Sequence, residues 1–346
     1  MANGNMMFSK AAIKGETTYG SGGTADYGTN GTAARRMTIN PLGVLNLGRE
    51  YDTGADRSIA LRNPVVAGRV VQLSENPELT LEAPAVTTDD LAVYYSMIQK
   101  TNAAGTPSGT AAPYTWATSI GMTSSATAPK SYSAILGDGN QNYLVNGILP
   151  TGMTISADAS GLTSVSVAAF AKTVTKTAFT TDESLPANAR SIPGRLWTAS
   201  YGTAFLTAGT AGGTAFTHLF DWNLEISSGI APINAQAGSL SLSDYNQFAA
   251  AFGGTLSLTV ASNDIAVAQL FDKLGSKTFW RLHWEDAGSP SHSADILVCA
   301  VPTSVEVMGG DAEGIVTYAA ELALAYDETS QSSVTLQVKN GLSALP

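Results

Sequence analysis

The residues Asp52-Thr53-Gly54-Ala55-Asp56 could carry acid–base chemistry of the aspartic-protease kind. That chemistry needs an aspartate at the end of a buried apolar strand and a second carboxylate close enough to share its proton. The approach here is Gly48-Arg49-Glu50-Tyr51, charged and glycine-bearing, and neither Asp-Thr-Gly nor Asp-Ser-Gly recurs in the chain. A turn between two strands uses Asp and Gly for backbone reasons alone, so a turn is the expectation. His218, His283 and His292 lack metal-ligand spacing, and His283 alternates with Leu282 and Trp284 as in a strand. Cys299, the one cysteine, lies in "ADILVCAV" and reads as a buried apolar residue, not a nucleophile. Asp138-Gly139-Asn140 is a hairpin signal without the lysine of a phosphate loop, and "GSGGTADYG" opens no helix as a dinucleotide loop would. The expectation is no catalytic residue, no metal and no cofactor.

The elements around these residues are mostly strands. "ELTLEA" (78–83) alternates: Leu79, Leu81 and Ala83 face one way, Glu78, Thr80 and Glu82 the other. "TLSLTV" (255–260) repeats the pattern. Each is followed by a short helix with its own cap, Thr88-Asp89-Asp90 before "LAVYYSMIQK" and Ser262-Asn263-Asp264 before "IAVAQLFDKLG", with Gly275 as a stop. Both are expected as surface helices packed by one face. Residues 15–34 are Gly- and Thr-rich and read as an extended arm.

Of the residues, 44% are hydrophobic and only 13% charged, which fits packed strands joined by turns and excludes global disorder. Net charge is −10, carried almost wholly by positions 176–346. Gripping nucleic acid takes clusters of Lys and Arg, so that function is disfavoured. The start of the chain carries no apolar signal-like core, and no run is long and apolar enough to span a membrane.

The order strand, helix, hairpin, Asp-x-x-Gly turn, long strand occurs twice. Pro150-Thr151 aligns with Pro302-Thr303, and Asp158-Ala159-Ser160-Gly161 with Asp311-Ala312-Glu313-Gly314. The first copy carries an extra Ala/Gly/Ser/Thr/Pro segment, 101–131. The expected organisation is an N-terminal arm (1–35), a first copy (36–175) with a long loop at 101–131, a linker (176–190) and a second copy (191–346).

This ordered set of segments resembles the tail tube, or major tail, proteins of long-tailed, siphovirus-like bacteriophages. The segments are "KGETTYGSGG", "ELTLEAP", "TTDDLAVYYSMI", "SYSAILGDGNQNYLVNGILPTGMTI", "FGGTLSLTVASNDIAVAQLFDKL" and "DAEGIVTYAAELALAYDE", covering about residues 10–340. The resemblance implies a mainly β fold of packed sheets with a flanking short helix per copy. Subunits of such proteins join into rings with a continuous inner β-barrel, and stacked rings conduct genomic DNA. It also implies partners: further copies of the chain, the tape measure, the tail terminator and the baseplate or tip. The location implied is the virion, after assembly in the host cytoplasm. A duplicated chain fits a trimeric ring better than a hexamer of single folds. The acids on polar strand faces, Glu78, Glu82 and Glu321, are candidates to line the lumen, where like-charge repulsion keeps DNA unbound. An outer-surface position for them stands as an equal alternative. Rival functions are another β-rich virion component, a capsid decoration or fibre protein, and more remotely an aspartic-protease-like enzyme resting on Asp52.

Overall fold

The structure is a computed structural model. It describes residues 10–16, 18–20, 35–37, 45–52, 70–98, 113–120, 129–137, 141–177, 190–205, 213–216, 218–234, 240–247, 249–263, 266–287, 292–312, 314–342 and 345.

The protein is mainly β, with antiparallel pairing between its named strands. The first half contains β1 (Lys10–Gly15), β2 (Arg35–Arg36), β3 (Leu45–Asn46), β4 (Arg49–Asp52), β5 (Val71–Glu75) and β6 (Glu78–Ala83). Helix α1 (Thr88–Ile98) follows, then β7 (Tyr114–Ile120), β8 (Tyr132–Gly137), β9 (Asn142–Asp158), β10 (Ser164–Phe170) and β11 (Thr173–Thr177). The second half contains β12 (Thr198–Gly202), β13 (Thr214–Ala215), β14 (Leu219–Ser227), β15 (Ala231–Ile233), β16 (Asp244–Asn246) and β17 (Gly253–Ala261). A short π-helical turn (Val267–Phe271) precedes β18 (Thr278–Glu285), β19 (Ser293–Ala312), β20 (Ile315–Leu324) and β21 (Val334–Asn340).

The two halves share one pairing scheme. β1 pairs with β2 and β8, as β12 pairs with β13 and β18. β6 pairs with β3 and β10, as β17 pairs with β14 and β20. β9 takes β8, β10 and β11, as β19 takes β18, β20 and β21. The register repeats as well. Leu79, Ala169 and Pro150 stand side by side, as do Leu256, Leu322 and Pro302. One residue beyond each proline is skipped in the ladder, Thr151 in one half and Thr303 in the other. Their hydroxyls donate to the carbonyls of Ala168 and Glu321, each at 3.1 Å. The hairpins β4–β5 and β15–β16 are closed alike. Gly48 (φ 53°) and Gly229 (φ 69°) sit in the left-handed region. Their carbonyls accept from Asn76 N at 3.1 Å and Ala250 N at 3.2 Å.

β14 joins the halves, pairing with the C-terminal part of β9 on one side and with β17 on the other. The result is one antiparallel sheet in the order β3-β6-β10-β9-β14-β17-β20-β19. The N-terminal parts of β9 and β19 leave this sheet for side ladders with β8 and β11, and with β18 and β21. Among the described residues the strands do not close into a barrel. The inner face of the central sheet packs Leu81, Val167, Ile155, Leu224, Leu258 and Leu322, all buried, into one continuous core. Each residue buried here removes apolar area worth roughly 25 cal/mol per Å² from water.

Four expectations change. Helix α1 is not a surface helix: all eleven of its residues are buried. It contacts β7, β9 and β10 of the first half and β21 of the second, so it is covered by both halves. Its cap is Thr87, whose hydroxyl accepts from Asp90 N at 3.2 Å. Among the described residues the second helix is a short turn, Val267–Phe271, although the Asn263 side chain accepts from Ala266 N at 2.8 Å before it and Gly275 follows it at φ 72°. The expected arm, 1–35, contains β1, with Ala11, Ala12 and Ile13 buried, and ends within β2; both strands belong to the first half's scheme. The expected loop 101–131 contains β7, which pairs along the whole of β21. Residues 101–112 of that loop, 178–189 of the linker, Asp138-Gly139-Asn140, most of "GSGGTADYG" and Asp264 lie outside the described residues.

Candidate functional site: an acidic sheet face

Alternation sends every second side chain of the central sheet away from the core. The cross-strand register sorts these outward residues into rows. One row runs Glu82, Ser166, Thr154, Glu225, Thr255. The next runs Ser164, Ser156, Asn223, Ser257, Glu321, Ser304, and the one above it Asp158, Asp221, Thr259, Ala319, Glu306. Glu78 lies on the same face two positions from Thr80 and four from Glu82. The candidates Glu78, Glu82 and Glu321 therefore share one face of one sheet, and all three are exposed. Asp158, Asp221, Glu225 and Glu306 join them, also exposed. These four escape a reading of single strands because only the register shows that they share a face. The alternation "FDWNLEIS" (220–227) was the available signal for Asp221 and Glu225.

No Lys, Arg or His occurs in β3, β6, β10, β14, β17, β20 or the sheet-forming parts of β9 and β19. The other residues of these three rows are Ser, Thr, Asn and Ala, and beyond Thr80 the face passes under an apolar cluster of Phe170, Leu149, Ile230 and Leu242. Asp158 and Asp221 stand directly opposite each other across β9 and β14. Like charges in that position are destabilising, by a few tenths of a kcal/mol to about 1 kcal/mol. The backbone N–H and hydroxyl of Ser160 donate to Asp158 Oδ1, which holds that carboxyl below its ordinary range. Asp221 accepts from Thr259 Oγ1 at 3.0 Å. The pair is thus kept in place by local donors rather than by a neutralising cation. A shallow groove on this face is lined by Thr151, Thr154, Ser166, Glu225 and Thr255. With strands roughly 4.8 Å apart and a screening length of about 8 Å at physiological salt, carboxylates on adjacent strands such as Asp158 and Asp221 feel one another directly, while those farther apart spread negative charge across the face in patches.

The other chemistry-bearing residues are placed structurally. Asp52 ends β4, whose four residues are all exposed, so it does not end a buried apolar strand; Thr53, Gly54, Asp56 and Arg57 lie outside the described residues. His283 Nδ1 is 2.9 Å from Asp295 Oδ1, and Arg281 Nε donates to the same oxygen at 2.7 Å. Burial pushes the Asp295 carboxyl up, but the hydrogen bonds from His283 and Arg281 outweigh it and hold the group below its usual range. His292 is buried and His218 exposed. Cys299 is fully buried, as expected, and burial pushes its thiol up to about 11, which makes it a poor nucleophile. Among the described residues no group of three His, Cys, Asp or Glu is arranged to hold a metal, and no helix is long and apolar enough to cross a membrane.

No protein-family model and no curated protein matches the chain.

Proposed function

We propose that this chain is a structural subunit of a bacteriophage tail tube and acts without catalysis, its acidic sheet face lining the conduit for genomic DNA. The observation that carries the reading is the cation-free outward face, held by two copies of one pairing scheme in a single open sheet. A carboxylate- and hydroxyl-covered wall repels phosphate and leaves DNA hydrated and unbound, whereas Lys or Arg would make phosphate contacts. Two equivalent units per chain favour three chains per ring over six. The tape measure, the tail terminator and the baseplate are the further partners of such a tube, and the virion its location.

Negative-stain microscopy of the purified protein tests the reading: tubes or stacked rings are expected, and three chains per layer in a helical reconstruction. Isolated knobs or fibres would overturn it in favour of a decoration or fibre protein. Glu78→Lys with Glu82→Lys, both exposed, tests the lumen. Tails of normal shape with slowed DNA ejection are expected, and unchanged ejection would place that face outside the conduit.

A further inference from the structure

The chain's own internal pairing identifies a strand acceptor and its donor. In the first half the outer edge of β9 is covered by β14: Met153, Thr154 and Ile155 stand opposite Ile226, Glu225 and Leu224. The equivalents in the second half follow from the shared register. Met153 pairs with Val167 as Val305 pairs with Ala320, and Ile155 with Val165 as Val307 with Tyr318. Yet among the described residues Ser304–Val307 pairs on one side only, with β20. The first-half equivalent of β14 is β3, since Leu45 stands against Leu79 as Leu224 stands against Leu256. Among the described residues β3 in turn pairs on one side only, with β6. Among the described residues there is therefore one open acceptor edge and one half-used donor strand, and the same two elements are joined where both halves meet.

We propose that Ser304–Val307 of one chain pairs with β3 and Leu47 of a second copy, in the register of the β9–β14 ladder. Val307 then faces Leu45, Glu306 faces Asn46 and Val305 faces Leu47. The chemistry matches on both faces of the sheet. Val307, 40% exposed in the single chain, meets Leu45 on the core side, where Leu45 already packs against the main core. Glu306 and Asn46, both exposed, meet on the acidic face without a like-charge contact. Two β19 edges pairing with each other about Glu306 would instead set carboxylate against carboxylate. The new ladder is short, because Met308, at φ 58° and 72% exposed, begins a two-residue bulge that ends the regular edge. The contact is heterologous: each copy gives one strand and receives one, so the sheet runs on from chain to chain until it closes or extends. The pairing stands on the internal register alone and deepens the tube reading by naming the surface that would close its ring.

The test is disulfide trapping with Asn46→Cys and Glu306→Cys, both at exposed positions, with native Cys299 buried. On oxidation the double variant should lose its monomer band to a covalent ladder. Each single variant alone should stay monomeric on oxidation, because the proposed register sets position 46 against 306 and not against itself, and an equal mixture of the two singles should stop at a covalent dimer. Tubes of normal appearance without such cross-links would overturn this edge and leave the tube reading standing. Cross-linked oligomers that never form tubes would uphold the edge and overturn the tube reading.

Discussion

Replacing Glu16 with Ala should destabilise the protein by about 3–5 kcal/mol, far more than any change in an unpacked arm would. The carboxylate is 8% exposed and collects four donors. Ser131 Oγ donates at 2.6 Å, Gly20 N and Gly147 N at 2.8 Å each, and the Ser133 hydroxyl completes the set. Hydrogen bonds to a charged group contribute roughly 1.5–3 kcal/mol net, and a buried donor left without an acceptor costs about 1–3 kcal/mol. The four do not add fully: the serine hydroxyls can rotate, and half-buried Gly20 can turn to water. The Gly147 N–H is fixed inside β9, so its loss sets the floor. Glu16→Gln keeps one acceptor oxygen but turns an NH2 group toward the donors, and should cost about half as much, ~2 kcal/mol. Urea unfolding reads both as a lower midpoint at unchanged slope. If Glu16→Ala falls within about 0.5 kcal/mol of the parent, the packing of β1 and its following turn described above is wrong.

Other expectations rest on equally specific contacts. Asp327 is pulled down to about 2 by the Lys277 ammonium, at 2.8 Å, and by the Ser330 N–H. Its folded value lies below its unfolded one, so its contribution is present above about pH 4 and fades as pH falls toward 2; the stability gap between parent and Asp327→Asn should close over that window in pH-dependent unfolding. Gly48→Ala and Gly229→Ala should each destabilise by more than about 1 kcal/mol in thermal unfolding, because a Cβ would stand 1.9 Å from Asn76 O and 2.2 Å from Ala250 O at positive φ. Asp295→Ala should cost about 3–5 kcal/mol, since it removes the carboxylate that the buried Arg281 and the partly buried His283 share; a loss below 1 kcal/mol in denaturant titration would refute that.

Strand type was legible wherever one face is wet. "ELTLEA" and "TLSLTV" alternate because their polar sides meet solvent, and both are strands of the central sheet. The Pro-Thr correspondence was legible because a bulge with a threonine back-bond recurs at both sites. Helix α1 was recognisable as a helix from its cap, but not as a buried one. Its cover comes from β21, far away in sequence, and no local pattern encodes a partner at that distance. β1 was hidden for a similar reason: "KAAIKG" is too short and too small-chained to stand out, and Glu16, a poor core residue by type, is accepted only because β8, β9 and the turn after β1 bring four donors to it. The acidic face was half legible. Each strand shows its own outward acids, whereas the convergence of seven onto one surface depends on β14 crossing between the halves.

The ladder between β7 and β21 also sets the order in which this molecule can be completed. Ile120 meets Val334 and Tyr114 meets Asn340, so β21, the last of the described strands, pairs with an insert of the first half and closes over α1. On a ribosome adding roughly 5–20 residues per second, the roughly 210 residues between these strands take about 10–40 s to emerge. Throughout that interval the edge of β7 and one flank of the apolar helix wait without their partner. Sequence separation of this kind slows folding and places the closing step last. A nascent or truncated chain lacking 334–340 therefore remains unfinished in its first half as well as its second.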